Sequence, residues 1–216
     1  MRTGGGRPLR RELAERIARE LGPFDRVHLD ALEHVDRARF VRPGDEARSF
    51  EDVPLALDDV GLATISAPHA YMLSFRLLEL ARGDRVVELG SGSGYGAALA
   101  SDIVGEDGRV ATFEIDETLA TRARGLLEGL ANVRVHQADA VVSSPMWGDA
   151  TRVVCTFAVL EVPRAWLDAL PDRGVLVAPV GPQERDQKLV RVERVRGELC
   201  STEHGSVRYV RNRSRV

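Results

Sequence analysis

Apolar residues recur every fourth position from Leu9 through Leu13 and Ile17 to Leu21, which places them on one stripe of a helix that Gly22-Pro23 stops. A shorter stretch with Val27, Leu29, Leu32 and Val35 predicts a second helix. From Phe40 to Asp59 the pattern dissolves into polar residues and prolines, so this segment is expected to lie over the surface of the main fold. Long irregular connections of this kind are often functional. Periodicity returns in a helix carrying Met72, Leu73, Phe75, Leu77, Leu78 and Leu80, led by Gly61-Leu-Ala-Thr-Ile-Ser-Ala-Pro-His69.

The apolar run Val86 to Leu89 then predicts a buried strand, followed by a glycine loop and a helix over Ala97 to Ile103. Further strands are expected at Arg109 to Phe113, closing in Glu114, and near Val133 to His136, delivering Asp139. Two more are expected at Lys188 to Val195 and Ser206 to Val210, joined by a polar loop with Gly197. Strands alternating with helices predict an α/β fold with a doubly wound, mostly parallel sheet and an N-terminal helical elaboration. Its ligand belongs at the carboxyl ends of the strands. The chain divides into a flexible start (1–7), N-terminal helices with a covering loop (8–59) and a core (60–216), a single domain overall.

Length and composition narrow the classes. A chain of 216 residues with 44% hydrophobic and 29% charged residues can bury a proper core. A net charge of -3 gives no support for nucleic acid as a partner. No apolar run is long enough for a membrane span, and the N-terminus lacks a signal-peptide core. With Cys155 and Cys200 outside any metal spacing, a reduced cytoplasmic protein is expected; the sequence does not fix the oligomeric state, and a monomer is favoured. The five histidines show no ligand spacing, so no metal is expected. Arg208, Arg211, Arg213 and Arg215 make the C-terminus basic, read as a solvated tail or as a patch for an anionic peptide.

The candidate chemistry centres on Glu88-Leu-Gly-Ser-Gly-Ser-Gly-Tyr95. Glycines let a backbone approach a ligand closely, and the helix behind them offers free N–H groups. Gly92, Gly94 and Ala97 also satisfy the dinucleotide pattern, so a nicotinamide or flavin nucleotide enters the field. An acid about twenty residues on, Glu114, is placed to accept ribose hydroxyls, and Asp139 suits an adenine amino group. Asp116 reads as the cap of the next helix. Ser66 before Pro68 likewise reads as an N-cap on spacing alone, and His69 as a structural histidine.

The order of glycine loop, strand-end acid and strand-end Asp resembles class I S-adenosylmethionine-dependent methyltransferases of the Rossmann-like type. Thr64-Ile-Ser-Ala-Pro-His69 together with Glu88 to Tyr95 resembles protein-L-isoaspartate O-methyltransferases more specifically. Leu29 to Val41, Ser49-Phe-Glu-Asp52, Glu161-Val-Pro163, Gly174 to Gly181 and Gln187-Lys-Leu189 fall in that family's order, so the likeness spans residues 25 to 212. It implies S-adenosyl-L-methionine as cofactor and an isoaspartyl-containing peptide or protein as substrate. Carried over by position, Ser66 is the active-site serine, and Thr64 and His69 lie near the cofactor. Glu88, Gly90, Ser91, Gly92 and Gly94 form the cofactor loop, Glu114 is the ribose acid, and Asp139 with Ala140 meets the adenine.

Methyl transfer to a carboxylate needs no general base, since that group is already ionised at neutral pH. Ser66 would orient it by a hydrogen bond. A serine nucleophile would need a base with an orienting acid, and only His69 is close in sequence, without an identifiable acid. The resemblance implies repair: the ester closes to a succinimide that reopens in part to aspartate. Departures include Leu62-Ala63, Ala138-Asp-Ala140, Ala150-Thr151 and Phe157-Ala-Val-Leu160. Phe157 and Leu160 put bulk near the expected substrate pocket, through redirected specificity or a compensated core change. Alternatives are therefore a relative methylating another carboxylate, such as an aspartate in a biosynthetic peptide, and a cofactor-binding module without repair activity.

Overall fold

The computed structural model describes residues 6–182 and 184–214. Helix α1 (Arg7–Leu21) buries Leu13, Ala14 and Ile17, while Leu9 and Leu21 at the ends of the stripe stay exposed. The expected flexible start therefore holds a helical residue at Arg7, and residues 1–5 lie outside the described ones. Helix α2 (Arg26–His34) follows. The covering segment is built from two 3-10 turns, Arg37–Arg39 and Glu46–Phe50, and a short antiparallel pair. In that pair β1 (Leu55–Ala56) lies against β2 (Thr64–Ile65), with Leu55 opposite Ile65.

The core then alternates α3 (Pro68–Leu78), β3 (Arg85–Leu89), α4 (Tyr95–Val104), β4 (Arg109–Glu114), α5 (Glu117–Leu127) and β5 (Val133–Gln137). It continues with β6 (Arg152–Cys155), α6 (Arg164–Ala169), β7 (Val175–Val180), β8 (Gln187–Val195) and β9 (Glu198–Val207). The described residues form a seven-stranded sheet in the order β5-β4-β3-β6-β7-β8-β9. The first five strands in that order are parallel, and β8 and β9 are added antiparallel.

Burial on both faces explains why the central strand is apolar from Val86 to Leu89 except at Glu88. Val86 joins Val110, Val154 and Val177 against α3 and α4 on one face. Val87 and Leu89 join Val153, Cys155 and Leu176 on the other, under Trp147 and Trp166. From β3 the chain winds to β4 and β5 on one side, then crosses to β6 and β7 on the other. The crevice at the carboxyl ends of β3 and β6 is the topological switch point, where open α/β sheets bind ligands.

The end of the chain differs from the sequence expectation. Arg196 (φ 52°) and Gly197 (φ 86°) form a tight two-residue turn, so the expected polar loop is a hairpin. Strand β9 ends at Val207, and residues 208–214 leave the sheet. Nearly all of β9 is exposed on both faces, so no alternation marked its limits. Among the described residues no helix is long and apolar enough to cross a membrane, and no cluster of His, Cys, Asp or Glu could hold a metal ion.

Candidate active site

The loop after β3 turns back over its own strand. Gly90 and Ser91 donate their N–H groups to Phe113 O at 2.8 and 3.0 Å, which ties the loop to the end of β4. Gly90 adopts φ 98°, and a Cβ there would collide with Thr156 and Phe157 at the end of β6. The Thr156 hydroxyl instead donates to Gly90 O at 2.6 Å. Three residues past the last loop glycine, the Ala97 N–H reaches back to Glu88. A Cβ on Gly96 would overlap the Glu88 carboxylate and the Tyr71 ring.

Glu88 is 2% exposed and accepts from the Thr112 hydroxyl at 2.6 Å. With its proton committed to Glu88, Thr112 accepts from Ser91 Oγ at 2.5 Å, linking the loop to β4. Burial pushes the Glu88 carboxyl up to about 8, opposed by the Thr112 hydrogen bond and reinforced by the nearby charge of Glu114. Glu114 spans the crevice, with Oε2 accepting from Gly92 N at 2.8 Å and Oε1 from Asp116 N at 3.0 Å. Asp139 accepts from Val141 N at 2.9 Å through Oδ1 and caps a short 3-10 turn. Asp116 caps α5, accepting from Leu119 N at 3.0 Å, as its spacing predicts.

Ser66 is not a cap. The cap position of α3 belongs to Ala67, and the free N–H of His69 is satisfied from outside by Asp52 Oδ1 at 2.9 Å. The other oxygen of Asp52 meets His69 Nδ1 at 3.0 Å. Burial alone would push the Asp52 carboxyl up, but the bonds from His69 outweigh it and hold Asp52 below its ordinary value. His69 thus has the orienting acid that its sequence neighbourhood lacks, because Asp52 arrives from the covering segment. No hydrogen bond joins Ser66 to His69 among the described residues, so the pair is not arranged as nucleophile and base.

Arg37, fully buried, fastens the covering segment to the same place. Its guanidinium donates to Glu51 O at 2.9 Å, Val53 O at 2.7 Å and Ser66 O at 3.1 Å, and lies 5.9 Å from the centre of the Tyr95 ring. Tyr71, also buried, hydrogen-bonds to Ser66. Burial first, then the charge of Glu88, push its phenol well above its usual range, so it stays protonated.

Two cavities meet here. One lies over the glycine loop and is lined by Gly90, Ser91, Gly92 and Ser93, by Glu114, and by Asp139 with Ala140. The other, about 410 Å³, runs between α3 and the segment leaving β9, past His69, Leu73 and Tyr209. Thr64, Ser66 and Val210 line both. Glu88 and Gly94 sit beneath the loop rather than in the first wall, and His69 faces the second cavity. Leu160 is 70% exposed and borders neither cavity, whereas Phe157 lines the first and packs edge-on against Trp166.

Sequence reading gave no role to Arg37, Asp52, Tyr71, Thr112 or Thr156. Asp52 stood inside a quoted run, Ser49-Phe-Glu-Asp52, and an acid seventeen residues upstream of the His69 N–H it satisfies leaves no local signal. The basic C-terminus is not a free tail: Arg213 pairs with Glu114 and Asp116, while Arg215 lies outside the described residues.

Comparison with known proteins agrees with this geometry. A solved protein-L-isoaspartate O-methyltransferase superposes with a TM-score of 0.85 at 24% identity, covering 94% of this chain, which spans 65% of that protein's length. A beta-aspartate methyltransferase from Plasmodium falciparum, solved with S-adenosyl-L-homocysteine, gives 0.81 at 20% identity over 94% of this chain and 98% of its own. At these identities both speak for the fold. The protein-L-isoaspartate O-methyltransferase of Bradyrhizobium sp. strain BTAi1 is 38% identical over 194 residues, 89% of this chain and 88% of the relative. An Archaeoglobus fulgidus protein-L-isoaspartate O-methyltransferase 2 is 36% identical over 205 residues, 93% and 91% of the two chains. The family model for protein-L-isoaspartate(D-aspartate) O-methyltransferase matches residues 13–216. The chain belongs to the protein-L-isoaspartate(D-aspartate) O-methyltransferase family.

Proposed function

We propose that this chain is an S-adenosylmethionine-dependent carboxyl methyltransferase acting on isoaspartyl residues of damaged proteins and peptides. The observation that carries the reading is the shared wall: Thr64 and Ser66 border both the cavity over the glycine loop and the groove beyond it. A donor on one side and a peptide carboxylate on the other come together at Ser66. The first cavity suits the cofactor's chemistry, because Ser93 Oγ is buried there without a partner and two acids stand at strand ends.

In this reading Gly90, Ser91, Gly92 and Gly94, with Thr64 alongside and Glu88 beneath, cradle the methionine end. Glu114 takes the ribose hydroxyls, and Asp139 with Ala140 takes the adenine. His69, expected near the cofactor, is assigned to the peptide groove instead, which its placement supports. The cofactor supplies an electrophilic methyl carbon on a sulfonium.

The chain's own residues position and seclude. A carboxylate with a pKa near ~4 arrives ionised, so the site needs an orienting donor and no base. The Ser66 hydroxyl donates to one carboxylate oxygen and leaves the other in line for the methyl carbon. Walls of buried apolar side chains keep water away while opposite charges cancel, which favours the less polar transition state. Esterification prepares repair, since the following backbone nitrogen attacks the ester carbonyl, expels methanol and closes a succinimide that water reopens in part to aspartate. Cytoplasmic residence belongs to the proposal and is supported by two unpaired cysteines, Cys155 and Cys200.

The test is transfer of labelled methyl groups to two synthetic peptides differing only in isoaspartate or aspartate at one position. Label on the isoaspartyl peptide alone is expected. Label on the aspartyl peptide, or on neither while the cofactor binds, overturns the substrate assignment.

A further inference from the structure

The segment that leaves β9 crosses the first cavity and ends on its two acids. It is anchored where Ala158 N donates to Val210 O at 2.8 Å and Ala158 bridges Arg211 in parallel. Beyond the anchor, Arg213 Nη2 stands 3.1 Å from Glu114 Oε1, and its Nη1 stands 3.4 Å from Asp116 Oδ2. Ser214 Oγ donates to Asp139 Oδ2 at 2.6 Å. The Arg213 side chain is 26% exposed and that of Glu114 only 6%, so the contact lies inside the crevice rather than on its rim.

These contacts fill what the fold leaves open on both acids. Glu114 already accepts from Gly92 N and Asp116 N, and Asp139 from Val141 N. The guanidinium and the serine hydroxyl take up positions where further donors could bind. With residues 210–214 in place the cavity holds about 60 Å³, whereas small-molecule sites are on the order of 300–1,000 Å³. A nucleoside and this segment cannot share the crevice.

We infer that residues 210–214 are an internal competitor for the nucleoside half of the cofactor site. Arg213 stands in for the ribose hydroxyls on Glu114 and Ser214 for the adenine amino group on Asp139, and cofactor binding lifts the strap about its anchor at Ala158. The inference rests on the nucleoside roles proposed for Glu114 and Asp139. Because only the open state binds, the strap lowers the affinity for S-adenosylmethionine and for the product S-adenosylhomocysteine by the same factor, the reciprocal of the open fraction.

Calorimetric titration of the full chain with S-adenosylhomocysteine tests it. Arg213→Ala is expected to bind about tenfold more tightly than the parent and Ser214→Ala about threefold, through the larger open fraction. Unchanged affinity in Arg213→Ala overturns the inference, and weaker binding overturns it by making Arg213 a cofactor ligand. Glu114→Ala in the Arg213→Ala background keeps the underlying reading separate. There a loss of affinity supports the ribose role, while no loss refutes that role whatever Arg213 does. Hydrogen exchange supplies a second readout: amides after Tyr209 are expected to exchange faster once S-adenosylhomocysteine binds, and slower exchange overturns the lifting of the strap.

Discussion

Glu88 carries a proton that the unfolded chain would release. Its folded pKa is raised to about 8 by burial, so between its ordinary value near 4.5 and that figure the native state holds one more proton than the unfolded state. Its stabilising contribution is complete below the lower value and is lost as pH rises through the upper one. From Glu88 alone, stability is expected to fall by roughly 1 kcal/mol per pH unit across this window. Glu88→Gln, neutral throughout, is expected to flatten the slope in denaturant titrations between pH 5 and pH 8; an unchanged slope would mean the carboxyl ionises freely. Ser66→Ala is expected to keep the affinity for S-adenosylhomocysteine while lowering kcat by about 100-fold, the lower end of the scale for losing one oriented donor. Equal losses of affinity and turnover would make Ser66 structural. Much at this scale was legible. Glu114 and Asp139 follow from strand ends, and Asp116 declares its capping role through the residues just after it. Asp52 and Arg37 were not legible, because each acts on a partner far along the chain.

At the scale of elements, the covering segment is a clamp on α3. Arg37 gathers carbonyls from residues 51, 53 and 66, and Asp52 caps a helix to which it is not joined. Asp52→Ala is expected to cost about 1 kcal/mol of stability, as for other lost N-caps, and to raise the peptide KM by freeing the His69 ring. A KM equal to the parent's would separate His69 from the groove. Arg37→Met leaves several buried carbonyls without donors and is expected to cost at least ~3 kcal/mol in chemical denaturation. Periodicity found the helices and parallel strands because burial imposes a repeat on them. It misplaced the last strand because β9 buries almost nothing, and it took Ser66 for a cap because local spacing is blind to an acid delivered from elsewhere.

For the whole molecule, the fold sets both cavities at the end of the sheet where the parallel strands finish, and the strap borders each of them. Val210 borders both the cavity over the glycine loop and the groove past His69, and Ser206 to Tyr209 just before it line that groove. A movement that opens one cavity therefore reshapes the other. Thermodynamic linkage makes this mutual: whatever factor S-adenosylhomocysteine applies to the dissociation constant of an isoaspartyl peptide, the peptide must apply to that of S-adenosylhomocysteine. Titrating each ligand with and without the other is expected to give a factor different from one, and Arg213→Ala is expected to bring it closer to one. The two ligands would then cease to be independent, since occupancy of either cavity is felt by the same factor in the other.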